Sequence, residues 1–327
     1  MSSPLPPRLP AASASPTGDD DAALTFLRPF LDDPRITDLL VNGEDGLFVD
    51  RGAGLERVPS WSADEAEVRR LAVRLIALGG RHLDDASPCV DVRLDHGVRV
   101  HAVLAPVAVR GTSISVRIPR RHALDLAALE RSGMLSASAR RRLESLVERR
   151  ENVLVSGATG AGKTTLLTAL LSAVPADERI VTIEEVCELR PRHPHHVALE
   201  ARQPNLEGAG GVGLARLVRE ALRMRPDRLV VGECRGPEVR ELLAALNTGH
   251  DGGAGTLHAR SLVDVASRLE ALGALAGMDP ATMARQSASA IDAIVHVERV
   301  HGRRRVAGWG RPVVQDGRLR IEPREWS

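Results

Sequence analysis

The chain is 327 residues long, 43% hydrophobic and 27% charged, with a formal net charge of +1. That length suits about two domains with sizeable cores, and the near-neutral balance argues against a dedicated nucleic-acid binder, local basic patches aside. With no Tyr, three Phe and three Trp, the chain also lacks the aromatic platform on which single-stranded nucleic acid stacks.

Residues 1–20 are rich in Pro, Ser and Ala and hold no apolar core segment, so they predict a disordered tail and no signal peptide. An N-terminal α+β domain is expected over 21–125. "ITDLLVNGEDGLFVDRG" (36–52) reads as two short strands around a turn, because Asn-Gly and Asp-Gly favour tight hairpins. "SADEAEVRRLAVRLIALGG" (62–80) predicts a helix with Ser62 as its capping residue, early acids and closing glycines. Alternating strands follow within 89–119, and "RRHALDLAALERSG" (120–133) reads as a linker region. The helix "SASARRRLESLVERR" (136–150) leads into a second domain, expected over 126–327. There apolar strands alternate with helices, the pattern of a parallel sheet covered on both faces. The fold class expected is therefore α/β, a phosphate-loop motor with a smaller α+β domain before it.

"SGATGAGKTTLL" (156–167) contains the only lysine of the chain; the other 43 basic residues are arginine. Gly157, Ala158, Thr159, Gly160, Ala161, Gly162, Lys163 and Thr164 fit G-x-x-x-x-G-K-[ST], followed by Thr165, between an apolar strand and a helix-like stretch. That context makes the pattern a phosphate site. Glycines let backbone N–H groups approach a polyphosphate closely, with the positive end of the helix behind them. A slim ammonium at Lys163 reaches the β- and γ-phosphates, where a planar guanidinium is a poor substitute. Thr164 would place its hydroxyl on Mg²⁺. ATP and Mg²⁺ are the implied substrate and metal.

Four strands end in polar groups: Val153–Ser156, Ile180–Glu184, Leu229–Glu233 and Ala254–His258. Ligands in open α/β sheets lie at the carboxyl ends of the strands, so the loop with Lys163, the pair Glu184–Glu185, Glu233 and the pair His250/His258 are expected to converge. Glu233 can orient the attacking water or hold Mg²⁺ through water. Glu184 and Glu185 form an acidic pair that a metal–phosphate site would stabilise. His250 and His258 flank a Gly-rich turn, and neutral imidazoles can sense a γ-phosphate.

Other features carry less. His193, His195 and His196 read as a solvated loop, since no acid or Cys partners accompany them. Arg140–Arg142 and Arg303–Arg305 read as solvated faces. Cys89, Cys187 and Cys234 are odd in number with no C-x-x-C, and read as small buried hydrophobes of a reducing compartment. The uncharged run Thr164–Ala176 is too short to span a bilayer. A cytoplasmic protein, peripheral at the membrane through partners, is expected. No internal repeat is present.

The segments "DLLVNG", "GRHLDDASPCVDVRL", "GATGAGKTTLL", "TIEEVCELR", "ALRMRPDRLVVGECRGPE" and "NTGHDGGAGTLHARS" resemble the type II/type IV secretion-system ATPases, in particular the CpaF-like branch that serves tight-adherence (Flp) pilus assembly. The family's phosphate loop, Asp box, Walker B strand and His box occur in order across about residues 30–300. The resemblance implies a two-domain protomer, a RecA-like motor, a hexameric ring and an inner-membrane platform as partner; the near-neutral charge and few aromatics add the expectation of no stable nucleic acid. It also implies that Arg99 in "GVRVHAV" and Arg117 in "GTSISVRI" touch the ATP phosphates, while a third family arginine is Ser113 here. The Asp box reads Glu184-Glu185 where relatives often have Glu-Asp, and the zinc module of the type II branch is absent. Alternatives are a nucleic-acid translocase of conjugation type, a small-molecule kinase, and a nucleotide-gated structural ring that hydrolyses little.

Overall fold

The computed structural model describes residues 19–33, 35–52, 54–94, 97–118, 124–202 and 210–326. All of the expected tail but Asp19 and Asp20 lies outside them, and these two open a helix. The chain divides into two compact units, Met1–His122 and Ala123–Ser327.

The first unit runs α1 (Asp19–Leu31), β1 (Asp38–Asn42), β2 (Leu47–Asp50), β3 (Leu55–Arg57), α2 (Glu65–Leu78), β4 (Cys89–Arg93), β5 (Arg99–Val103) and β6 (Ser113–Arg117). Its six strands form one antiparallel sheet in the order β3-β2-β1-β6-β5-β4. Strict alternation along β1, β5 and β6 buries every second residue, as one covered and one open face require. Val68, Leu71, Leu75 and Ile76 of α2 pack with Phe26, Leu27 and Phe30 of α1 in that core.

The α2 cap differs from the sequence reading. Asp64, not Ser62, caps the helix, with a reciprocal box in which Asp64 accepts from Glu67 N and Glu67 accepts from Asp64 N. Ser62-x-x-Glu65 has the same spacing, but Glu65 is taken: its two oxygens accept from Thr112 N and Oγ1 at 2.7 and 2.6 Å.

The second unit runs α3 (Leu126–Arg131), α4 (Ala137–Glu148), β7 (Val153–Gly157), α5 (Lys163–Leu171), β8 (Ile180–Glu184), β9 (His196–Glu200), α6 (Leu214–Ala221), β10 (Arg228–Cys234), α7 (Glu238–Leu246), β11 (Ala254–His258), α8 (Asp264–Leu275), α9 (Pro280–Ala290), β12 (Ala293–Val300), β13 (Arg303–Gln315) and β14 (Arg318–Arg324). The expected linker region thus contains a helix, α3, whose N-cap is Asp125. The eight-stranded sheet has the order β14-β13-β12-β7-β11-β10-β8-β9. Strands β12 to β9 in that order are parallel, and β13 and β14 extend the sheet antiparallel. Strands β7 and β8 are buried at every position. One apolar cluster, with α6 to α9, covers one face; a second, with α3 to α5, covers the other. Of the three cysteines only Cys234 is buried; Cys187 is half-buried and Cys89 exposed. Burial pushes the Cys234 thiol far up, aided by Glu238 and Glu233.

At the amino ends of the parallel strands, Arg228 is 2% exposed on its side chain. Its Nε and Nη2 donate to Glu178 at 2.5 and 3.2 Å, and Nη2 also donates to Val147 O at 2.9 Å. Gly252, at φ 81°, makes room for it, because a Cβ there would lie 2.1 Å from Arg228 Nη1. Removing one partner of a buried pair strands the other charge. Glu178→Ala is therefore expected to lose about 3 kcal/mol in urea unfolding, the low end of the 3–5 kcal/mol range.

Candidate active site

β7 delivers the chain into the loop, and α5 begins at Lys163. Gly160 and Gly162 have φ of 72° and 105°, left-handed conformations that a side chain would strain. Gly157 is required by space: a Cβ would sit 2.3 Å from the Val297 carbonyl oxygen. Thr164 is half-buried in the first turn of α5. Lys163 is 8% exposed, and its Nζ donates to Gly157 O and Ala158 O, each at 3.1 Å. Burial lowers its pKa, while Glu233 and Glu188 act to keep it charged. The ammonium therefore rests on carbonyls that a polyphosphate would replace.

Glu233 comes from the end of β10, where the register to β11 shifts between Val231 and Cys234. The extra residue is a bulge, a device that re-aims a side chain. Thr256 Oγ1 pins it by donating to Gly232 O at 2.6 Å. Glu233 Oε1 lies 2.6 Å from His258 Nε2, and Lys163 Nζ lies 3.1 Å from the same nitrogen. One ring nitrogen cannot both donate and accept, and a carboxylate only accepts. The shorter contact therefore selects the Nε2–H tautomer, donating to Glu233. Burial and then Lys163 lower the His258 pKa, against Glu233, which favours the neutral ring.

The acidic pair is placed differently from its expected role. Glu184 is 5% exposed and accepts from Glu188 N at 3.0 Å and Leu189 N at 3.1 Å. It closes the loop after β8. Glu185 is ion-paired with Arg235, whose Nε donates to it at 2.7 Å. The acid of this loop that acts on Lys163 is Glu188, three residues past the pair that drew attention in the sequence.

His250 is not brought to the site. It precedes β11, whereas His258 ends it, and the parallel register sets Ala254 beside Val153 and His258 beside Gly157. Four residue steps of strand put about 13 Å between those ends. His250 Nδ1 instead pairs with Ala245 O at 3.2 Å, tying the end of α7. The three histidines around β9 also have local partners: His193 with Pro175 O, His195 with Arg179 and His196 with Thr182.

Sequence reasoning also missed His296. It is 4% exposed, with Nδ1 2.9 Å from Ser156 Oγ and a further hydrogen bond to the Arg260 backbone. It thus links the residue before the phosphate loop to the segment after His258.

Residues 20–303 match the family of type II/IV secretion system proteins. The chain belongs to this family. ATP hydrolysis is the family's general activity, and this member is an ATP hydrolase. A putative conjugal transfer protein of Mycobacterium tuberculosis is 53% identical over 289 residues, covering 86% of this chain and 82% of the relative. The probable conjugal transfer protein TrbB of Sinorhizobium fredii is 30% identical over 89% of this chain and 88% of its own length. The type IV secretion protein VirB11 of Brucella suis is 32% identical over 72% of each. In fold, the chain resembles DotB of Legionella pneumophila (TM-score 0.60, 19% identity, 93% of this chain and 83% of that one). It also resembles the pilus retraction motor PilT (TM-score 0.63, 19% identity, 90% and 82%).

In the first unit of the chain, Arg99 and Arg117 lie directly opposite on adjacent strands. Arg93 stands opposite Arg99 on the other side, and Asp38 stands opposite Arg117. Like charges placed so cost stability. Asp38 offsets part of this, 3.3 Å from Arg117 Nε.

Proposed function

We propose that this chain is the Mg²⁺-dependent motor of a pilus-assembly or protein-secretion machine of the CpaF-like branch, working as a hexameric ring against an inner-membrane platform. The observation that carries the reading is the meeting of Lys163, Glu233 and His258 at the carboxyl ends of parallel strands. Loop N–H groups of Gly157 to Thr165, with Lys163, bind the ATP phosphates. Glu233 orients the attacking water, and its partner His258 senses whether the γ-phosphate is present. Glu184 acts one step back, by shaping the loop that carries Glu188. Arg99 and Arg117 supply positive charge to the phosphates. The residues fit Mg²⁺, which favours substrate phosphates and water with one or two protein oxygens, because Thr164 stands half-buried in the first turn of α5 beside Lys163. Thr164 and, through water, Glu233 would supply those oxygens. The ion, when bound, neutralises charge developing on the phosphates.

No helix among the described residues is long and apolar enough to cross a membrane; the proposed motor would be held at the cytoplasmic face by its platform. A second reading, a conjugation-type translocase, is favoured by the relatives' names and opposed by a net charge of +1. DNA-stimulated turnover would select it.

Glu233→Gln is the test. It is expected to bind ATP while turnover falls about 10²–10⁴-fold, the scale of one positioned acid–base group. Native mass measurement of this variant with ATP should show six copies. Lost ATP binding with normal turnover per bound site would assign Glu233 to metal holding or folding instead.

A further inference from the structure

The hairpin of β12 and β13 braces the phosphate loop at successive points. His296 holds Ser156, the Val297 carbonyl abuts Gly157, and Arg304 Nε donates to Gly160 O at 3.0 Å. Arg304 Cδ would also lie 3.2 Å from a Cβ at Gly162. Only Ala293–Val297 of β12 pair with β7. The rest continues past the end of β7, turns at His301 and Gly302 (φ 48° and 79°), and returns with Arg304 opposite Arg299.

A phosphate cradle needs its N–H groups facing inward and its carbonyls facing away. Of the three loop glycines, Gly160 is left-handed and the one with nothing within 4 Å of where its Cβ would be, so its own surroundings do least to fix the peptide. We propose that Arg304 is a positioning residue for ATP binding: its guanidinium grips the Gly160 carbonyl and keeps it from turning into the cradle. A charge-assisted hydrogen bond is the strong kind. Arg303 and Arg305 beside it are exposed, and Arg305 is paired with Glu298 at 2.6 Å. They carry the same charge without the contact and so serve as controls.

The inference rests on the loop being the ATP site, and the test separates the two. In the full chain, Arg304→Ala is expected to raise KM for ATP and Kd for a non-hydrolysable analogue about tenfold, with kcat within about threefold. Arg304→Lys keeps a charged donor and should recover to within about threefold of wild type. Arg303→Ala should match wild type. In the nucleotide-free protein, amide exchange over residues 158–162 should quicken in Arg304→Ala and not in Arg303→Ala. Wild-type KM and exchange in Arg304→Ala, or equal effects from Arg303→Ala, would overturn the assignment. If Lys163→Ala also leaves ATP binding intact, the site assignment fails, and amide exchange alone still decides whether Arg304 holds the loop.

Discussion

Arg117→Ala in the full chain should lower ATP turnover by about 10³–10⁵-fold, the contribution of an arginine that neutralises a transferring phosphoryl group. Arg117 is paired with Asp38, and its side chain is 59% exposed. An exposed pair of this kind contributes about 0–1 kcal/mol, so the variant should unfold at nearly the wild-type urea midpoint. Asp38→Asn removes the same pair and leaves the guanidinium. It should therefore keep turnover within about threefold, on the same exposed-pair argument. Arg99→Ala should act in the same direction with a smaller effect. In a ring whose arginines serve the site, turnover should also rise more than linearly with protein concentration. Full turnover in Arg117→Ala would remove the first unit from the chemistry, leaving an ATPase whose second unit works alone.

Lys163→Ala is expected to abolish productive ATP binding. Two charge-assisted hydrogen bonds to phosphate, at about 1.5–3 kcal/mol each, correspond to roughly 10²–10⁴-fold in affinity. Lys163→Arg should also fail, although the charge remains. Nζ lies within 3.1 Å of two carbonyl oxygens and the His258 ring, and a planar five-donor fork has no room to form there. Analogue titration and phosphate-release assays on both variants decide the matter. Wild-type turnover in Lys163→Arg would show that charge alone suffices, and that the single lysine of an arginine-rich chain has another cause.

The phosphate loop was legible in the sequence because its geometry is local: a strand, three glycines and a helix within a few residues force the cradle. Glu233 was legible for a similar reason, as the first polar group after a buried apolar run. His250 misled because eight positions separate it from His258 in the chain, while the strand between them spans the sheet. Gly252, two residues on, makes room for Arg228 at the amino ends of the strands. Glu184 shows what the letters leave out: its carboxylate accepts from N–H groups four and five residues on, a contact that spacing alone does not announce. Strands β13 and β14 gave little signal. β13 alternates weakly, and its arginines face solvent over most of its length. Arg304 could not be picked out between two other arginines, 144 positions from the glycine it holds.

The place of β7 between β11 and β12 has a consequence for synthesis. Ser156 meets its partner His296 across 140 positions of chain, and ribosomes add about 5–20 residues per second. Roughly 7–28 s therefore pass, at that speed, between translation of the phosphate loop and arrival of the strand that completes its support. A nascent chain holds every residue of the Gly-rich loop long before it can close a cradle around ATP. Nucleotide capture is expected to wait for that strand, and a chain truncated before β12 would carry Lys163, Glu233 and His258 without the His296 and Val297 that brace Ser156 and Gly157.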